Sequence, residues 1–205
     1  MAEQGRLLAR GPWRPGQVES VWRDETWVAP ADVERRADAA VDELRERGSP
    51  AHDGEAARLA AWKSDGDTLR LVDAPGTNSL TALCLVRTED GRWLAGRRAS
   101  WLASWADRWA LGAGGAVEVG EDPSETLSRE LDEEWQLTPQ SLSVEALVYL
   151  PSGLVALVGL ATVPSGAEPV PDAEHDEFAW WPADVGSWPD EADQRLQLLA
   201  RSLER

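Results

Sequence analysis

The stretch Gly114–Leu137, GGAVEVGEDPSETLSRELDEEWQL, sets both the fold and the chemistry to be expected of this chain. It places Glu130, Glu133 and Glu134 at helical spacing behind Arg129, with Glu121 just ahead. Asp122 suits a helix N-cap and Pro123 the first helical position, so a helix is predicted to start there. Leu127, Leu131 and Trp135 recur four residues apart and give it one buried stripe. Arg129, Glu130, Glu133 and Glu134 lie off that stripe. Residues three and four apart are helix neighbours, so Glu130 shares a face with Glu133 and Glu134. Like charges at that spacing cost roughly 0.2–0.5 kcal/mol per pair on an exposed helix. A hard divalent cation reverses the sign of that term, and an all-oxygen ligand set suits Mg²⁺ or Mn²⁺.

Ahead of the helix, Gly112, Gly114, Gly115 and Gly120 flank Val117 and Glu118. Glycine allows unusual backbone angles and close approach. The segment reads as a glycine-rich loop that leads through an acidic bend into the carboxylate helix, with Gly114 and Gly115 beside a bound diphosphate. A charge run is ordinarily a solvated helix face. The fixed spacing and the glycine lead-in argue against that here.

Gly115, five residues, Glu121, seven residues, then Arg129-Glu130-Leu131-x-Glu133-Glu134-x-x-Leu137 resembles the Nudix box, G-x5-E-x7-R-E-U-x-E-E-x-G-U. The one departure is Gln136 in place of the last glycine. That glycine would commonly end the helix in the left-handed conformation. With Thr138-Pro139 following, the helix is expected to end differently here, and no chemical group is lost. The resemblance implies a Mg²⁺- or Mn²⁺-dependent hydrolase of a nucleoside diphosphate linked to another moiety: a nucleotide sugar, a dinucleotide or a nucleoside triphosphate. It implies that Glu130, Glu133 and Glu134 hold metal or activate water, that Glu121 is a further acid at the metals, and that Arg129 orients the glutamates. Its bound cation would polarise the phosphoryl oxygens while a carboxylate takes a proton from water.

The chain has 205 residues, 42% hydrophobic, with a formal charge of −17. That surface repels nucleic-acid backbones and anionic membranes, so neither is an expected partner. It also repels a diphosphate, and Arg87, Arg92, Arg97 and Arg98 are candidates to offset this, with Arg97 and Arg98 taken as substrate-binding. Ordinary surface arginines are the equal alternative. The single cysteine, Cys84, sits in an apolar run and reads as core. No secretory signal or eighteen-residue apolar stretch is present, so a cytoplasmic protein is expected. Twelve tryptophans stand beside one Phe and one Tyr. They suggest aromatic core positions, a base-stacking surface or a homodimer contact.

Residues 1–29 read as irregular, with one short strand near Val18–Trp22. Helices are predicted over Ala31–Arg47 and Gly54–Trp62, then a strand over Thr68–Val72. From Ser79 the pattern changes. Hairpins are predicted around Glu89-Asp90-Gly91 and Pro151-Ser152-Gly153, with short strands at Trp109–Leu111 and Glu177–Trp181 and a closing helix over Ala192–Leu203. The expected fold is α/β (α+β): a Nudix-type mixed β-sheet sandwiched between helices. Residues 79–205 form the expected Nudix domain, and 1–78 a helical and strand extension packed on it.

Outside the box, an acid before the strand Phe178–Trp181 resembles a position where many Nudix proteins keep a further ligand or base. Glu177 is the first choice and Glu174 the second, against a solvated acidic loop. His175 reads as a surface histidine. Trp109, Trp180 and Trp181 are candidates to stack a base. The rival to an enzyme is a non-catalytic Nudix-fold module that senses a nucleotide or a protein, for which eroded box acids would be expected. Here every acid of the box is present.

Overall fold

Leu80–Val86 and Val155–Val163 are the most apolar runs of the chain, and they lie side by side at the centre of the sheet. The computed structural model describes residues 5–22, 30–46, 48, 56–73, 78–102 and 104–204. In chain order the elements are β1 Arg6–Trp13, β2 Val18–Val21, α1 Ala31–Glu46, β3 Arg58–Ser64, β4 Leu69–Asp73, β5 Asn78–Thr88, β6 Trp93–Arg98 and β7 Trp109–Leu111. Then follow β8 Ala113–Ala116, α2 Pro123–Trp135, β9 Ser141–Tyr149, β10 Val155–Val163, β11 His175–Trp181 and α3 Gln194–Leu203. The strands form one mixed sheet in the order β1-β9-β10-β5-β3-β4-β2, with β8 also on β5 and with β7, β6 and β11 carried on a side branch. The β10–β5 and β2–β4 pairs are parallel.

Two apolar clusters lie on opposite faces of this sheet. One gathers Cys84, Val86, Leu94, Leu127, Leu131 and Trp135 under α2. The other gathers Leu85, Trp93, Ala95, Trp181, Trp188, Leu196 and Ala200 under α3. Successive strand residues point to opposite faces, so neighbours such as Trp93 and Leu94 join different clusters. Five of the tryptophans fill core positions here. Trp13, Trp93 and Trp135 are fully buried, and Trp188 packs against both Trp93 and Trp181. Among the described residues no helix is long and apolar enough to cross a membrane.

Three expectations for local structure fail. Residues 58–62, expected in a helix over Gly54–Trp62, lie in β3 instead, while residues 54 and 55 lie outside the described residues. The Ala- and Arg-rich sequence favours helix, but pairing with β4 on one side and β5 on the other overrides it. Residues 6–13, expected to be irregular, form β1 along the β9 edge, with register shifts between Leu7 and Ala9 and between Arg10 and Trp13. The stretch read as a glycine-rich loop contains β8, which pairs Ala113–Ala116 with Cys84–Thr81.

Candidate active site

The helix α2 starts as its sequence dictates. Asp122 accepts a hydrogen bond from the Ser124 N–H at 2.8 Å, and Pro123 opens the helix. Its end does not. Gln136 adopts the left-handed conformation, φ 52° and ψ 38°, that the missing glycine would have taken. For a residue with a Cβ this costs about 1–2 kcal/mol. The turn is held because Gln136 N–H donates to Asp132 at 2.8 Å and the segment beyond caps the helix from outside. There Val170 N–H donates to the Trp135 carbonyl and Asp172 N–H to the Glu134 carbonyl, both at 2.9 Å.

Arg129 sits among three carboxylates. Its Nε donates to Glu121 Oε1 at 2.8 Å and its Nη2 to Glu121 Oε2 at 3.2 Å. Its Nη1 lies 2.9 Å from both Glu133 Oε2 and Glu130 Oε1. Nη2 also donates to the Ala116 carbonyl at 3.2 Å, which ties the helix to β8. The three glutamates of the helix differ in setting. Glu133 is exposed, whereas Glu130 and Glu134 are buried. Burial pushes Glu121 up, but hydrogen bonds from Arg129 and the Glu118 N–H hold it below the usual carboxylate range. Burial raises Glu130, and the adjacent Arg129 only partly offsets it.

Glu134 stands apart from this group. Its Oε1 accepts from the Gly114 N–H at 2.8 Å. Its Oε2 is buried with no hydrogen-bond partner. Burial pushes its carboxyl up to about 9, against the pull of the Gly114 N–H. Next to Oε2, at 3.7 Å, is Nε2 of His175. His175, expected at the surface, is a core residue whose side chain is 1% exposed. It stacks on Trp135 with ring centroids 4.3 Å apart, and its Nδ1 lies 3.2 Å from Asp172 Oδ1. Burial lowers its pKa, with Asp172 pulling the other way. Gly96 makes the slot: a Cβ there would lie 2.6 Å from both His175 and Trp135.

The two glycines of β8 act on glutamates. Gly114 supplies the N–H to Glu134. A Cβ on Gly115 would fall 2.2 Å from Glu130 Oε1, so only glycine leaves the carboxylate its place.

The arginines and the late acids divide between the two faces. Arg98 lies on the α2 side. It pairs with Glu174 at 3.2 Å, acts electrostatically on Glu134, and keeps a buried, unpartnered Nε. Glu174 is itself raised by burial and lies near enough to Glu134 for their charges to interact. Arg97 and Glu177 pair with each other at 3.4 Å on the α3 side. Glu177, the first choice for a further acid beside the box, is therefore separated from Glu130 and Glu134 by the sheet, and Glu174 is the acid on their side. Glu177 follows the alternation of Ala179 and Trp181 on the α3 face, and a bulge between His175 and Glu177 turns His175 to the α2 face. Arg87 packs over Trp93 and Arg92 pairs with Asp90, away from the glutamates.

On the α3 side, Arg97, Arg108, Trp109, Glu177 and Trp181 line an open cavity of about 810 Å³. Trp109 and Trp181 pack together with centroids 5.6 Å apart. Trp180 faces the other side, packed on the α2 cluster.

As the side chains stand, no three His, Cys, Asp or Glu groups among the described residues converge on one point to hold a metal ion. Arg129 holds Glu121, Glu130 and Glu133. The donor set nevertheless fits a hard cation: all carboxylate oxygens, two of the carboxylates buried, and one buried oxygen without a partner.

The family model for the NUDIX domain matches residues 77–201, more than half of the chain, and the chain belongs to the Nudix family, in the class of Nudix-type hydrolases. Among solved structures, DR0079 of Deinococcus radiodurans is 20% identical with a TM-score of 0.53, over 74% of this chain and 100% of that one. The NUDIX domain of Shewanella oneidensis NrtR, solved with ADP ribose, is 23% identical with a TM-score of 0.50, over 63% of this chain and 88% of that one. These likenesses show the shared mixed α/β fold. No curated protein matches the chain.

Proposed function

We propose that the protein is a divalent-metal-dependent pyrophosphohydrolase that cleaves a nucleoside diphosphate linked to another moiety. Carrying this reading is the Glu134 carboxylate: buried, held through one oxygen by the Gly114 N–H, and left with no partner at the other. A buried carboxyl oxygen without a partner is costly, and a fold retains one where a cation or a reacting group meets it.

Glu130 and Glu134 would hold Mg²⁺ or Mn²⁺ from inside the site, with Glu133 and Glu121 at its exposed rim. Such a cation, when bound, polarises the phosphoryl oxygens and lowers the pKa of a bound water. Arg129 keeps Glu121, Glu130 and Glu133 within reach of one another by charge-assisted bonds. Gly114 and Gly115 serve through the carboxylates they orient, and Arg98 and Glu174 flank Glu134 as anion anchor and further acid. Arg97, Glu177, Trp109 and Trp181 line the cavity on the α3 side, across the sheet from these glutamates, and are given no part in holding this substrate. The catalytic domain is residues 79–205, and 1–78 is an extension that adds strands to its sheet.

The test is turnover by purified protein with Mg²⁺ or Mn²⁺ on a panel containing ADP-ribose, nucleotide sugars, dinucleotides and nucleoside triphosphates, reading released monophosphate or phosphate. Glu134→Gln should lower the rate at least about a hundredfold with the fold intact. A fully active Glu134→Gln, or tight ligand binding with no turnover across the panel, would overturn the reading.

A further inference from the structure

Strand β3 is joined to β5 only through Arg58 and Leu59, so from Ala60 to Ser64 it has a partner, β4, on one side only. All five residues are exposed, and nothing among the described residues pairs with their open side. Unpaired N–H and C=O groups along such a side are a ready template for another strand. The guards are light: Lys63 is the one charge in the run, and a register shift marks its start, between Leu59 and Ala61. Trp62 is the middle residue of the run and, among the described tryptophans, the one that is exposed, at 40%. It sits opposite Leu71 of β4, which is 2% exposed and belongs to the core under α2. The indole thus continues an apolar row across two strands, and the row stops at the open side.

We propose that the Ala60–Ser64 edge of β3 is where two copies of the chain associate, their strands pairing antiparallel about a two-fold axis with Trp62 against the partner's Trp62. A strand aligned antiparallel with its own copy is self-complementary, and a two-fold contact makes each interaction twice. Centred on Trp62, the alignment pairs Ala61 with Lys63 and Ala60 with Ser64, so the two lysines are not directly opposite. Aromatic side chains facing each other across two strands stabilise the pair, and the apolar row runs on into the second copy. Charge favours the same edge. The formal charge of −17 opposes self-association, but Arg58–Ser64 holds two cations and no acid. Antiparallel alignment also brings the acidic turn of each copy, Asp65 and Asp67, to the Arg58 end of the other. The paired run is about 17 Å long. That is less contact than a standard interface makes, so the dimer is weak, with a Kd on the order of 100 µM. The contact is independent of the reaction assigned above.

The test is sedimentation velocity of the purified full chain over concentrations from about 5 µM to about 1 mM, which span that Kd. The mass should climb from that of one chain, 22.4 kDa, towards twice that value. Trp62→Glu and Trp62→Lys each set like charges across the axis and should each weaken association at least about tenfold. Mixed in equal amounts, the two variants set opposite charges there, and association should return; a dye on one of them shows that the dimer is mixed. Recovery in the mixture also excludes misfolding as the cause of the loss. Leu7→Glu, at an exposed position on β1 at the other end of the sheet, should leave association unchanged. A chain that stays monomeric throughout overturns the proposal and leaves the edge to a strand of another protein. Association untouched by both Trp62 variants overturns it as well, and so does association lost in Leu7→Glu. A mixture that associates no better than either variant alone overturns the Trp62-centred pairing.

Discussion

Adding one methyl group at Gly115 should silence the site while sparing the fold. The backbone of Gly115 has no left-handed angle, so alanine is permitted there on conformational grounds. Its Cβ, however, would lie 2.2, 2.4 and 2.5 Å from Oε1, Cδ and Oε2 of Glu130. Ordinary contact begins near 3.4 Å, so the carboxylate must retreat by more than about 1 Å. A displacement of that size at a reacting centre costs roughly a hundredfold in rate. The cost in stability is smaller. Overpacking costs about 1–3 kcal/mol, and replacing glycine within a strand returns about 0.5–1 kcal/mol. The net is a fall in melting temperature of about 0–10 °C for a chain of this size. The assay pairs thermal melting with turnover on whichever panel substrate the parent protein cleaves. Shortening the acid in Gly115→Ala/Glu130→Asp should recover part of the lost rate, because the retracted carboxylate clears the methyl group. Parental turnover in Gly115→Ala would refute the argument, since the glycine would then not be reserving space for Glu130.

Two further outcomes follow from the burial and the division of faces. Burial pushes the Cys84 thiol up to about 12, from 9.0 in an exposed cysteine, with Glu134 adding to the effect. Folded protein at pH 8 should therefore react with a thiol reagent only as fast as it opens; immediate stoichiometric labelling without denaturant would contradict that. The sign for stability is fixed as well: the contribution is whole below pH 9 and is lost as pH rises towards 12, because the unfolded thiol ionises first. Glu174→Gln should lower kcat about tenfold or more, whereas Glu177→Ala should leave kcat and KM within about twofold. The reverse pattern would place the working acid on the α3 side.

The box was legible because its chemistry is contiguous: one helix carries Arg129, Glu130, Glu133 and Glu134, and helical periodicity gives their spacing directly. What sequence reasoning missed depends on partners distant along the chain. Nothing near Ala56–Ser64 says that β4 and β5 will flank it, so its helical composition misled. β8 looked like a loop because its glycines are unusual for a strand, yet their lack of side chains is what Glu130 requires. His175 lies in a polar run, EHDE, and only the bulge in β11 turns it inward against Trp135. The separation of Arg97 from Arg98 was available in principle, since adjacent strand residues face opposite ways. It needed β6 to be treated as a strand right through to Arg98. Gln136 ran against expectation for a different reason: its left-handed turn is imposed from outside by the segment that caps α2.

The alternation along β6 and β11 gives these strands two independent surfaces. Arg98 and His175 stand on the side of the glutamates, and Arg97, Glu177 and Trp181 on the side of the cavity. A substitution at any of the latter three leaves the side chains around Glu134 untouched. Substitutions on the α3 side can therefore accumulate without disturbing the carboxylates, and divergence among relatives that share the box should concentrate on that outer set of positions.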